Sequence, residues 1–90
     1  MNELESALKE VFESKYSSID NAIARIANSM HCLVSDRVVV TCDTLECVHI
    51  SWVDDDAGPI VRTSLESGDD GKSWMAQYIQ IDGYDARRWQ

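Results

Sequence analysis

Apolar residues in the first third of the chain recur every three or four positions: Leu4, Leu8, Val11, Phe12, Ile19, Ala22, Ile23, Ile26 and Met30. A stripe with that spacing lies on one face of an α-helix, so residues 2–31 read as an amphipathic helical part. The segment YSSID, Tyr16 to Asp20, interrupts the stripe. Ser17 or Ser18 can cap a new helix there, with Asp20 three residues after Ser17 completing a capping box. Either two helices or one kinked helix is expected.

After Ser35 the period changes to two, and valine, threonine, isoleucine and tryptophan replace alanine and leucine. Alternation of this kind suits a pleated strand with one buried face. Four strands are predicted, at Arg37–Cys42, Glu46–Val53, Ile60–Glu66 and Ser73–Ile81, with DTLE, DDDAGP and SGDDGK between them. Such short connections, rich in turn formers, join neighbours antiparallel. The expected fold is α+β, with one or two N-terminal helices packed on a four-stranded antiparallel β-meander. It is read as a single domain, 1–90, whose sheet part is 37–81 and whose tail is 82–90.

Pairing Cys42 with Cys47 and Val53 with Ile60 puts Val39, Thr41, Val48, Ile50, Trp52, Val61, Thr63 and Leu65 on one face, beneath the helices. The reverse face then carries Val38, Val40, Cys42, Cys47, His49, Arg62, Ser64 and Glu66, a mixed surface open to a partner. The last strand has two registers available. One buries Trp74, Ala76 and Tyr78, the other Met75, Ile79 and Ile81.

Charge narrows the choice of partner. The chain of 90 residues, 44% hydrophobic, carries a net charge of −8. Residues 1–35 hold five acids and three bases, residues 36–85 eleven acids and three bases, and Arg87 and Arg88 follow. The resulting negative field disfavours direct binding to nucleic acid phosphate and to anionic membranes, and favours a protein partner with a basic surface. No apolar run approaches the roughly 20 residues needed to cross a bilayer. The three cysteines are an odd number, and MNELESALKE lacks the basic start and apolar run of a secretory signal, so a reducing cytoplasm is expected.

The candidate chemistry is sparse. Asp54, Asp55 and Asp56 precede Gly58 and Pro59 and read as a hairpin loop; the ligand spacing of a helix–loop–helix calcium site is absent. Cys42, Cys47 and His49 would share one side of the first hairpin, where His31 or Cys32 could complete a tetrahedral zinc site. Their C-x4-C-x-H spacing does not match the usual closely spaced ligand pairs, and free cysteine commonly behaves as a small buried hydrophobe. Neither metal nor cofactor is therefore expected. The acids around Cys47 oppose a thiolate nucleophile, no carboxylate pair stands out in an apolar context, and there is no Gly-rich phosphate cradle. The chain reads as a binding protein and not an enzyme. Trp52 fits the core, while Trp89, in DARRWQ, reads as an interface anchor.

The functional expectation is a small acidic cytosolic protein that inhibits or regulates a partner with a basic surface, such as a nuclease or nucleic-acid-handling complex. Its expected contact residues are Asp54, Asp55, Asp56, Glu66, Asp69, Asp70, Val40, His49 and Trp89. Small acidic anti-restriction and anti-CRISPR proteins of phages, and nuclease immunity proteins, share these general traits, though no motif assigns the chain to any of them. The alternatives are a structural or assembly subunit acting as a homodimer, and a zinc-binding regulator using Cys42, Cys47 and His49.

Overall fold

The serine pair in YSSID divides the helical part in two. In a computed structural model, α1 spans Glu3–Glu13 and α2 spans Ile19–Ser29. Residues 3–30, 37–44, 46–54, 58–81 and 84–87 are described. Ser18 is the cap: its hydroxyl accepts from the Asn21 amide at 3.0 Å, while the Asn21 side chain accepts from the Ser17 amide at 3.3 Å. Asn21, and not Asp20, makes the returning contact of the box. Asp20 stays in the first turn, where a negative charge complements the helix dipole.

Helices of 11 residues are marginal alone in water, so these two depend on tertiary burial. Leu8 and Val11 of α1 and Ala22 and Ile26 of α2 are buried, as is Met30 just beyond. Each large apolar side chain so removed from water contributes about 1.5–3 kcal/mol. Leu4, at the start of the same stripe, stays exposed. The helices pack on each other, and α1 also packs on the sheet.

That sheet is one antiparallel meander ordered β1-β2-β3-β4-β5, from β1 Arg37–Cys42, β2 Cys47–Asp54, β3 Gly58–Glu66, β4 Met75–Ile81 and β5 Tyr84–Arg87. The fifth strand corrects the reading of residues 82–90 as a tail. Ala86 lies opposite Ile79 and packs on the core, and the Arg87 guanidinium stands over the Tyr78 ring, 5.3 Å from its centre. β3 also starts earlier than expected: Gly58 and Pro59 pair with Asp54 and Val53 past an irregularity between Trp52 and Val53. A bulge is where a strand tolerates a proline that cannot donate.

Two registers differ from the sequence expectation. Cys42 pairs with Val48 and not with Cys47, and Val40 with Ile50. Opposite residues in an antiparallel pair share a face, so this shift of one residue turns β1 over. Val38, Val40 and Cys42 lie on the helix side of the sheet, and Val39 and Thr41 on the outer side. In β4, both proposed registers are half right. Leu65 pairs with Ala76, but Ser64 pairs with Tyr78 and Thr63 with Ile79, leaving Gln77 as the extra residue of a bulge. The strand thereby buries Trp74 and Ala76 before the bulge and Ile79 after it, with Ile81 packed against the core, while Met75 and Tyr78 face outward. Thr63, the polar residue in the core face, donates its hydroxyl to the Tyr78 carbonyl at 2.7 Å.

Val48, Ile50, Trp52, Val61 and Leu65 complete the core, as the alternation predicts. The helices do not cover β1, of whose six residues five are exposed.

Candidate functional site

Two turns meet at one end of the sheet and carry most of the described acids of its second half. The β1–β2 turn is closed by the amides of Asp43 and Thr44 donating to the Cys47 carbonyl at 3.1 and 3.2 Å, and by the Glu46 amide donating to the Thr44 hydroxyl at 3.0 Å. The β3–β4 turn is built on Ser67, whose buried hydroxyl donates to Asp69 at 2.8 Å and accepts from the Gly71 amide at 2.8 Å. Asp70 and Gly71 both adopt positive φ, 60° and 84°, a conformation that aspartate tolerates and glycine favours. The Ser67 amide donates to the Glu46 carbonyl at 2.9 Å and ties the turns together.

Asp43, Glu46, Glu66, Asp69 and Asp70 are all exposed at this end. Their roles differ. Asp69 accepts from the Ser73 amide at 2.9 Å and the Ser73 hydroxyl at 2.6 Å besides Ser67, and these bonds hold its carboxyl down to about 2. Its charge is present under all ordinary conditions, and its oxygens hold the turn. Among the described residues, the carboxylates of Glu66 and Asp70 make none of the hydrogen bonds that hold the turn. An open recess of about 390 Å³ lies beside them, bounded by Glu66, Asp69, Ser67, Met75 and Lys15. Lys15 lines one side of the recess, and a basic side chain entering it would meet Glu66 and Asp69 on its walls.

On the outer sheet face, next to this end, His49 Nε2 meets Asp43 Oδ2 at 2.5 Å. Cys47 lies in the same row, with its sulfur 3.7 Å from the Ser64 hydroxyl. Cys42 is an exposed free thiol that the register places on the other face, so it does not join Cys47 and His49. This corrects the grouping of Cys42, Cys47 and His49. Asp43 takes the place of Cys42, a role that spacing did not reveal because it depends on which residues of the hairpin face each other.

The remaining expected contact residues are dispersed. Val40 lies on the exposed edge strand, on the helix side of the sheet and away from His49. Asp54 ends β2 opposite Gly58, at the far end from Glu66 and Asp70. Asp55, Asp56 and Trp89, like His31 and Cys32, lie outside the described residues. Among the described residues no helix is long and apolar enough to cross a membrane. No family model, curated protein or solved structure matches this chain.

Proposed function

We propose that the protein is a small acidic binding module that docks on the basic surface of a protein partner and so inhibits or regulates it. The observation that carries this reading is the paired turns, which hold Asp43, Glu46, Glu66, Asp69 and Asp70 at one end of the sheet beside an open recess. Charge arranged in this way speeds association with a surface of opposite sign and selects against acidic partners. Nucleases and other nucleic-acid-handling proteins carry basic grooves because they hold phosphate, and they are the partner class this chemistry fits, in the manner of anti-restriction, anti-CRISPR or immunity proteins. The role is one of binding and not catalysis. Free thiols at Cys42 and Cys47 fit a reducing compartment such as the cytoplasm.

Affinity capture from lysate identifies the partner, and two variants then locate the contact. Glu46→Gln/Glu66→Gln/Asp70→Asn removes three of the five negative charges of the paired-turn end while sparing Asp69, whose carboxylate accepts the hydrogen bonds of the turn. Asp54→Asn/Asp55→Asn/Asp56→Asn neutralises the opposite loop. The first is expected to slow association and flatten its salt dependence, with unchanged thermal melts. Equal affinity and equal salt dependence for wild type and both variants would overturn the reading.

A second reading, a homodimer, is favoured by β1. Val39 and Val40 are 43% and 42% exposed on an edge strand rich in valine. Unprotected edges of this kind are templates for another strand. A twofold axis perpendicular to the sheet allows only registers in which a residue meets its own copy, because opposite residues must share a face. Centring on Val40 places Val38 opposite Cys42 of the second copy and Arg37 opposite Asp43, an apolar middle with complementary charges at both ends.

A further inference from the structure

The β1–β2 hairpin gathers three different metal-binding side chains on the outer face of the sheet. Cys47 and His49 are two residues apart in β2 and therefore point the same way. Asp43 leaves β1 directly across from Cys47, where its amide donates to the Cys47 carbonyl at 3.1 Å. One carboxylate oxygen, the thiol sulfur and one imidazole nitrogen consequently lie within 4.8 Å of one another.

We propose that Asp43, Cys47 and His49 form a binding site for Zn²⁺. Zinc takes thiolate at about 2.3 Å and imidazole or carboxylate at about 2.0–2.2 Å, so donors around a tetrahedral ion stand roughly 3.3–3.6 Å apart. Donor atoms all within 4.8 Å of one another stand near this spacing, and the Asp43–His49 pair, 2.5 Å apart, must open by about 1 Å to admit the ion. The donor set selects the metal: a soft thiolate beside an imidazole suits zinc, whereas magnesium and calcium require all-oxygen surroundings.

The neighbours support the ligands. Ser64 Oγ, 3.7 Å from the Cys47 sulfur, is placed to donate to the thiolate once it forms. Glu66 is the direct cross-strand partner of Cys47, on the same face, but its carboxylate lies outside the three-residue group, so the fourth position is left to solvent. The negative field of this end of the sheet favours a cation there. The site shares Asp43 with the acidic end proposed to meet a partner, but it needs only the β1–β2 hairpin, so zinc binding and partner binding can fail separately.

The test uses the reduced, full-length chain stripped of metal with a chelator. Calorimetric titration with Zn²⁺ is expected to show one site with a Kd below about 10 μM, equivalent to about 7 kcal/mol. Co²⁺ in its place should give a thiolate-to-metal charge-transfer absorption. Cys47→Ser and His49→Gln should each weaken zinc binding at least tenfold, whereas Cys42→Ser and the addition of excess Mg²⁺ should leave it unchanged. Absence of zinc binding, zinc binding undiminished in Cys47→Ser, or a loss in Cys42→Ser as large as in Cys47→Ser would each overturn the proposal. Should a variant fail to fold, the wild-type cobalt spectrum still decides, since a complex without the charge-transfer band has no thiolate ligand.

Discussion

The main chains of Tyr16 and Trp74 exchange two hydrogen bonds, each of 2.8 Å. This bridge ties the link between the helices to the residue just before β4, and both side chains are buried at the junction. The Tyr16 hydroxyl donates to the Val11 carbonyl at 3.2 Å, and the Arg25 guanidinium lies 5.0 Å from the centre of its ring. The two helices and the sheet are thus held by one aromatic residue that belongs to neither helix.

Tyr16→Phe removes that hydroxyl and is expected to cost about 1 kcal/mol. It also changes the alkaline limb of stability. Burial raises the Tyr16 phenol above its usual 10.0, against the opposing pull of Ser14 and Arg25. The unfolded chain then loses its proton first, so the contribution of the buried phenol is complete below 10.0 and is lost as pH rises toward the higher folded value. Thermal melts across this range should fall less steeply for Tyr16→Phe than for the wild type.

Asp69 governs the acid limb by the opposite sign. With its carboxyl held down to about 2 by Ser73 and Ser67, its contribution is complete above the ordinary value of 3.8 and is lost as pH falls through about 2. Asp69→Asn should flatten this part of an acid titration followed by tryptophan fluorescence. An unchanged acid midpoint and slope would show that the turn does not depend on the carboxylate.

Helix burial is tested at Ile26, which is 1% exposed. Ile26→Asp places an unpaired charge in the core and is expected to cost about 4 kcal/mol or more, enough to abolish cooperative folding in a domain of ordinary stability. Leu4→Asp, on the same stripe but 40% exposed, should shift stability by no more than about 0.5 kcal/mol. Circular dichroism melts of the two variants decide between them.

Edge pairing through β1 is tested by sedimentation. If two copies meet with Val40 on the axis, Val40→Lys sets two like charges opposite each other and should convert a dimer to a monomer without lowering the melting temperature of the isolated fold. A wild type that sediments as a monomer at all concentrations would exclude the dimer.

The sequence by itself determined the kinds of element and, within β2 and β3, the face that each residue occupies. Period 3.6 marks the helices, Ser17 and Ser18 offer a cap, and period two carries Val48, Ile50, Trp52, Val61 and Leu65 to the core, because these signals arise within a few residues of one another. Tertiary structure decided how the elements are phased. Alternation says which residues of a strand share a face but not which face is inward, and the turn closed by Thr44 sets β1 one residue away from the Cys42–Cys47 pairing. The bulge at Gln77 lets β4 bury Trp74 and Ala76 and then Ile79, a phase change that no single period describes. Tyr84–Arg87 is too short to show a period and becomes a strand because β4 offers it an edge. The meeting of Asp43, Cys47 and His49 has the same origin: their spacing is irregular along the chain, and only the hairpin register, a property of two strands together, makes them neighbours.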